Sequence, residues 1–184
     1  MHHTTRLMGV LAIICAQSSL SGASPFQAAA GPPKAASDNR LTTIAGFTVD
    51  YPKKDWQLPV GVGSSLVVFV HKTTQATVAI ERTSVRPLAK NEITEQTATL
   101  EIDDWVARRP QARAIGHQLL DIAGARFIMI DLLQSGPQGS ERVRMYTLPR
   151  GTDWFRVICT TTQDSFEKYL DTCHRIALSL TPTP

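Results

Sequence analysis

The sequence lacks an apolar run long enough to cross a bilayer, which takes about 20 residues; its N-terminal apolar stretch, Leu7 to Ala16, is too short. It also lacks a marked excess of either charge, with 19 Lys and Arg against 16 Asp and Glu. An electrostatic binder of nucleic acid would show a basic patch or stripe, and none is visible. Cysteine is scarce, three residues in all. Zinc needs Cys or His at short, regular spacing, and Cys173-His174 has no second pair. His71, His117 and His174 are isolated, and no Gly-x-Ser-x-Gly elbow is present. Gly61, Gly63, Gly136 and Gly139 form neither a dinucleotide fingerprint nor a P-loop and read as turn glycines. Glu101, Asp103 and Asp104 lack the alternation and turn glycine of a calcium loop and read as a solvated helix face. The residues therefore offer no catalytic group, no metal set and no cofactor site.

What is present begins with an export signal. Arg6 and the α-amino group precede Leu7–Ala16, and small residues follow. Ser21-Gly22-Ala23 and Ala28-Ala29-Ala30 both fit a small-x-small cleavage pattern. Residues 1–30 are read as a secretory signal peptide cleaved after Ala23 or Ala30, in preference to an uncleaved anchor, because Gln17, Ser18 and Ser19 interrupt the apolar run. Cys15 raises a lipoprotein reading, which bulky Ile14 and the short distance from the start oppose. Processing removes Arg6 and Cys15. It leaves a nearly neutral chain and two cysteines, as a single disulfide in a periplasmic or secreted protein would need. Residues 31–40 include the proline-rich GPPKAAS and read as a linker, and 41–181 as one domain.

The strongest local pattern lies between Arg142 and Leu180. Pro149-Arg150-Gly151 breaks two period-two runs, which makes a hairpin. Val143, Met145, Phe155, Val157 and Cys159 are expected to share one inward face, and Arg142, Arg144, Tyr146, Trp154 and Arg156 the outward one. A helix follows from about Asp164, with a capping box to Glu167 and an apolar stripe through Phe166, Tyr169, Leu170, Cys173, Ile176, Ala177 and Leu180. Cys159 and Cys173 both face inward and are expected to close a disulfide worth about 3 kcal/mol; the alternative is two buried free thiols. Arg142, Arg144, Trp154 and Arg156 have the composition of a partner surface. A salt-bridged sheet face involving Glu141 and Asp131 is the favoured alternative.

Earlier in the chain, strands are read at Ile44–Tyr51, Trp56–Val60, Leu66–Val70 and Thr77–Val85, with Leu66–Val70 as a central strand covered on both faces. A helix capped by Asn91 and stopped by Pro110 follows, with a mixed apolar face. Gln111–Ile122 and Arg126–Leu133 are strands; in the second, Ile128, Ile130 and Leu132 oppose Phe127, Met129 and Asp131. Four strands, a helix, four strands and a helix, joined by short turns, make a largely antiparallel α+β domain.

The segments GFTVDYPKKDWQ, SLVVFVHK, ATVAIERTSV, IAGARFIMIDL and RVRMYTLPRGTDWFRVICTTTQDSFEKY together resemble the PsbP-like superfamily. Its members include an extrinsic photosystem protein, a small-GTPase-binding nuclear-import factor and many bacterial exported proteins. The resemblance implies an α/β/α sandwich with a central, largely antiparallel sheet and two main helices. It also implies a non-enzymatic binding or assembly protein of the bacterial envelope, not membrane-spanning after processing, whose partner is an envelope protein. No functional residue carries over, because no site motif matches. The alternatives are a small-ligand or lipid carrier with a pocket lined by Trp105, Phe127 and Met129, and a hydrolase whose site has no recognisable motif.

Overall fold

The computed structural model describes residues 39–43, 46–58, 66–84, 93–122, 124–137, 139–150 and 153–183. The signal peptide, its cleavage sites, most of the linker, Asn91 and the Gly61/Gly63 turn lie outside them. Five strands come first: β1 (Asn39–Thr42), β2 (Phe47–Tyr51), β3 (Trp56–Gln57), β4 (Leu66–His71) and β5 (Thr77–Ser84). Helix α1 (Glu95–Arg108) leads to β6 (Arg113–Ile122), β7 (Ala125–Gly136), β8 (Gly139–Arg150) and β9 (Asp153–Thr162). A short 3₁₀ turn (Gln163–Ser165), helix α2 (Phe166–Ser179) and β10 (Thr181–Pro182) complete the chain. The small strand β1 begins two residues before the expected domain start at 41.

Seven strands form one sheet in the order β3-β4-β5-β9-β8-β7-β6, and β1-β2-β10 form a second, small sheet. Every paired neighbour is antiparallel. Long hairpins dominate, and the β6–β7 and β7–β8 turns use Gly124 (φ 79°) and Gly139 (φ 106°), where a side chain would be strained. The architecture is α+β. One face of the large sheet packs on α2, with Phe155, Val157 and Cys159 of β9 beneath Tyr169, Cys173, Ile176 and Ala177. The other face packs on α1, with Ile128, Ile130, Leu132, Val143, Met145 and Ile158 around Ala98 and Trp105. The opposition within β7 is as expected: Ile128, Ile130 and Leu132 take the α1 side, Phe127 and Met129 the α2 side.

The parity of the central hairpin differs from expectation. Val143 and Met145 lie on the α1 face, whereas Phe155, Val157 and Cys159 lie on the α2 face. Pairing runs to Arg150↔Asp153, so Met145 faces Ile158 and Tyr146 faces Val157. A three-residue turn at Pro149-Arg150-Gly151 would have shifted this register by three residues, and any odd shift exchanges the faces of an entire strand. Because the sheet is buried on both sides, apolar alternation alone did not decide between the registers. Strand β4 is also less central than expected. It sits next to the β3 edge, with Val67 and Phe69 buried and Leu66, Val68 and Val70 half-buried.

The helix starts are corrected too. Thr94 caps α1: its hydroxyl accepts from Thr97 N–H at 3.4 Å, and the Thr97 hydroxyl accepts from Thr94 N–H at 3.2 Å. Asp164 falls in the 3₁₀ turn, and α2 starts after Ser165 with no side-chain cap. Thr94→Ala should therefore cost about 1 kcal/mol in urea denaturation. Asp164→Ala should cost less than about 0.5 kcal/mol. The reverse order would show that the caps are misassigned.

Candidate interaction surface

The four residues expected to form a partner surface do not share a face. Arg142 and Arg144 lie on the α2 side, opposite Thr161 and Cys159; Trp154 and Arg156 lie on the α1 side. The same register shift separates them. Each is also engaged within the fold. Arg144 donates from Nε and Nη2 to the two carboxylate oxygens of Asp131, both at 2.7 Å. Burial works to lower the Arg144 pKa, but the hydrogen bonds and charge of Asp131 outweigh it and hold the guanidinium more firmly charged than usual. Arg142 reaches Asp131 at 3.6 Å and Glu167 at 3.8 Å, and its guanidinium lies 4.4 Å above the Phe166 ring. The salt-bridged alternative thus describes this face, except that Glu141 accepts from the Gln134 amide at 2.9 Å.

On the other side, Arg156 is 7% and Trp154 2% exposed. Arg156 donates to Glu101 at 3.1 and 3.0 Å and approaches Asp104 at 3.5 Å. Glu101 is therefore no part of a solvated acidic face; it turns inward to neutralise a buried guanidinium. Asp103 and Asp104 are exposed, and Asp104 pairs with Arg108 one turn on.

The proposed carrier pocket is not assembled either. Trp105 belongs to the α1 layer, and Phe127 and Met129 to the α2 layer, so the sheet separates them. A recess of about 400 Å³ lies elsewhere, lined by Arg109, Pro110, Gln111, Ala112, Gln134 and Ser135. Among the described residues, no group of three His, Cys, Asp or Glu could hold a metal ion. His174 Nδ1 lies 3.3 Å from the Tyr146 hydroxyl. Burial and then the Arg144 charge push the His174 pKa down, while burial pushes the Tyr146 pKa up. Both groups are therefore held neutral, and they link α2 to the sheet.

The surface that is open lies at the end of the large sheet. Strand β6 pairs only with β7 among the described strands, so no described strand covers its outer backbone edge. Arg113 to Gln118 are all exposed. The register slips between Ala114 and Gly116, which takes Ile115 out of the β7 ladder. Ile115 is 40% exposed, and Leu100 of α1, the helix flanking β6, is 62% exposed. His117 Nε2 reaches Glu95 at 2.7 Å and ties the start of α1 to this strand. An edge ten residues long that no described strand covers, with Ile115 exposed on it and Leu100 exposed on the flanking helix, is a template for an added strand. The sequence held a sign of it: Gly116 and the polar mixture in RAIGHQLLDI suit a bulged edge strand better than an interior one.

Compared with known proteins, the sequence matches no family model and no curated protein sequence significantly. Its structure does match. A solution structure of cyanobacterial PsbP (CyanoP) from Synechocystis sp. PCC 6803 superposes with a TM-score of 0.62 at 14% identity, covering 84% of this chain and 97% of that one. The fold is PsbP-like. A Bacteroides thetaiotaomicron protein superposes at 0.58 with 11% identity, covering 80% of this chain and 49% of its own. A Pseudomonas aeruginosa protein of unknown function superposes at 0.51 with 12% identity, covering 80% and 98%. These identities establish the PsbP-like fold alone.

The His174–Tyr146 link gives a pH signature. A histidine whose folded pKa lies below its ordinary value of about 6.5 binds more protons when unfolded. Its contribution is complete above that value and is lost as the pH falls below it. The stability difference between the wild type and His174→Gln should therefore shrink on acidification from about pH 7.5 to about pH 5. A constant difference in urea midpoints across that range would contradict a neutral, half-buried His174.

Proposed function

We propose that this chain is an exported, non-enzymatic binding or assembly protein of a bacterial envelope, acting through protein–protein contacts. The observation that carries the reading is the β6 edge, which no described strand covers and on which Ile115 is exposed. Main-chain N–H and C=O groups along such an edge supply affinity without sequence-specific pockets, and the flanking aliphatic side chains supply apolar contact. Export rests on the N-terminal segment, with its basic start, short apolar stretch and small-residue cleavage patterns. The PsbP-like fold, found in an extrinsic photosystem protein, is compatible with a scaffold for contacts. A carrier is the weaker reading, because the side chains expected to line its pocket stand on opposite sides of the sheet.

A photo-crosslinking residue at Gln118 tests the surface in cells. It should give a discrete adduct of fixed stoichiometry in the envelope fraction. Leu100→Lys combined with Ile115→Lys should abolish the adduct while circular dichroism and the urea midpoint stay unchanged. An adduct that survives both charges, or no adduct from a correctly folded protein, would rule out this edge. Intact-mass analysis of the same fraction should show a mature N-terminus after Ala23 or Ala30; an unprocessed cytosolic chain would refute export.

A further inference from the structure

The proposed surface makes no use of the two cysteines beneath α2. Cys159 stands on β9, opposite Val78 of β5 on one side and Arg144 of β8 on the other. Cys173 stands on α2, on the stripe that also buries Tyr169 and Ile176. The two residues are 2% and 4% exposed. Both are free thiols in this structure, and both belong to the one buried cluster between α2 and the sheet. The fold thus brings together two thiols from elements that meet only when α2 seats on the sheet. Burial first, and then the neighbouring Cys173 thiol, push the Cys159 pKa well above its ordinary value. The reactive form of cysteine is the thiolate, and attack on an oxidant also needs access. Seated, Cys159 therefore has neither charge nor exposure, and Cys173 has no exposure.

We propose that Cys159 and Cys173 form a disulfide while the chain folds in an oxidising compartment, before α2 is fully seated, and that the folded dithiol is inert to the same oxidant. In the first step the thiolate of one cysteine attacks a sulfur of a small or protein disulfide. A mixed disulfide forms and one oxidant thiolate leaves. The other cysteine then attacks its partner's sulfur, closes the Cys159–Cys173 bond and releases the second oxidant thiolate. Two protons and two electrons pass from the cysteines to the oxidant, which ends as two thiols. The closed bond anchors α2 to β9, so the layer carrying Tyr169, Cys173, Ile176 and Ala177 cannot leave the sheet without unfolding most of the hairpin. The oxidising-compartment part rests on the export reading; the pairing and the order of events do not.

Reduced mature protein, purified under reducing conditions, is exposed to oxidised glutathione in two ways: folded, and during refolding from urea. Samples are acid-quenched, denatured, labelled with a maleimide mass tag and weighed intact. The folded sample should keep both thiols, and the refolded one should carry no tag and weigh two hydrogens less. Cys159→Ser and Cys173→Ser should each retain one thiol after refolding, or carry one glutathione, and should lose the rise in unfolding temperature that oxidation gives the wild type. Two titratable thiols after oxidative refolding would overturn the pairing. Rapid oxidation of the folded protein would overturn the order of events. Reduced thiols in protein taken directly from the envelope, alongside closure in vitro, would overturn the oxidising-compartment part while leaving export standing.

Discussion

The sheet is buried on both faces, so the charged residues of its central hairpin must carry their counter-charges inside the fold. Arg144 and Arg156 stand on adjacent strands but opposite faces. Taking an unpaired charge out of water costs several kcal/mol. The two solutions differ. Asp131 lies directly opposite Arg144 in the β7–β8 ladder, so that pair is built into the sheet. Glu101 comes from α1, so its pair with Arg156 also determines where α1 sits. Helix α1 buries Ala98 and Trp105 fully and packs half-buried Ile102 and Val106 against the same cluster, and the Arg109 guanidinium covers the Trp105 ring at 3.6 Å. Three buried polar atoms without a hydrogen-bond partner, Trp105 Nε1, Trp154 Nε1 and Thr147 Oγ1, belong to residues on this α1-facing side of the molecule. The α2 layer, by contrast, is anchored by a long apolar stripe. The molecule has one layer anchored by a long apolar stripe and one in which a shorter apolar contact is joined by a buried ion pair.

Period and composition made much of this legible. The antiparallel α+β class, the β7 face assignment, the inward stripe of α2 and the proximity of Cys159 to Cys173 follow from spacing that admits few alternatives. The resemblance in short segments such as GFTVDYPKKDWQ and IAGARFIMIDL pointed to the PsbP-like fold. What could not be read was parity. A hairpin covered on both faces is apolar on both faces, so the position of its turn alone decides which side each residue takes. Misplacing that turn, which shifts the register by an odd number of residues, put Arg142, Arg144, Trp154 and Arg156 on a common outer surface. They lie in fact on two inner ones. The inward turn of Glu101 was equally hidden, because its partner is 55 residues away in the chain.

With the expected basic patch taken up by internal pairing, the accessible features shift to the end of the sheet. There β6 leaves its outer edge open, and Leu100 and Ile115 leave apolar surface in water. A polar-seated α1 lies next to that edge and touches it through His117 and Glu95. A protein partner that adds a strand to β6 would therefore meet α1 as well. This combination suits assembly through contact better than chemistry in a cavity.

The dependence of α1 on the buried ion pair is tested most directly by a double-mutant cycle in urea with Glu101→Leu and Arg156→Met. Removing Glu101 alone should cost about 3 kcal/mol or more, because it strands the Arg156 charge, and adding Arg156→Met should recover most of that loss. Two single costs that simply add, to within about 0.5 kcal/mol, would contradict the claim that this pair seats the helix.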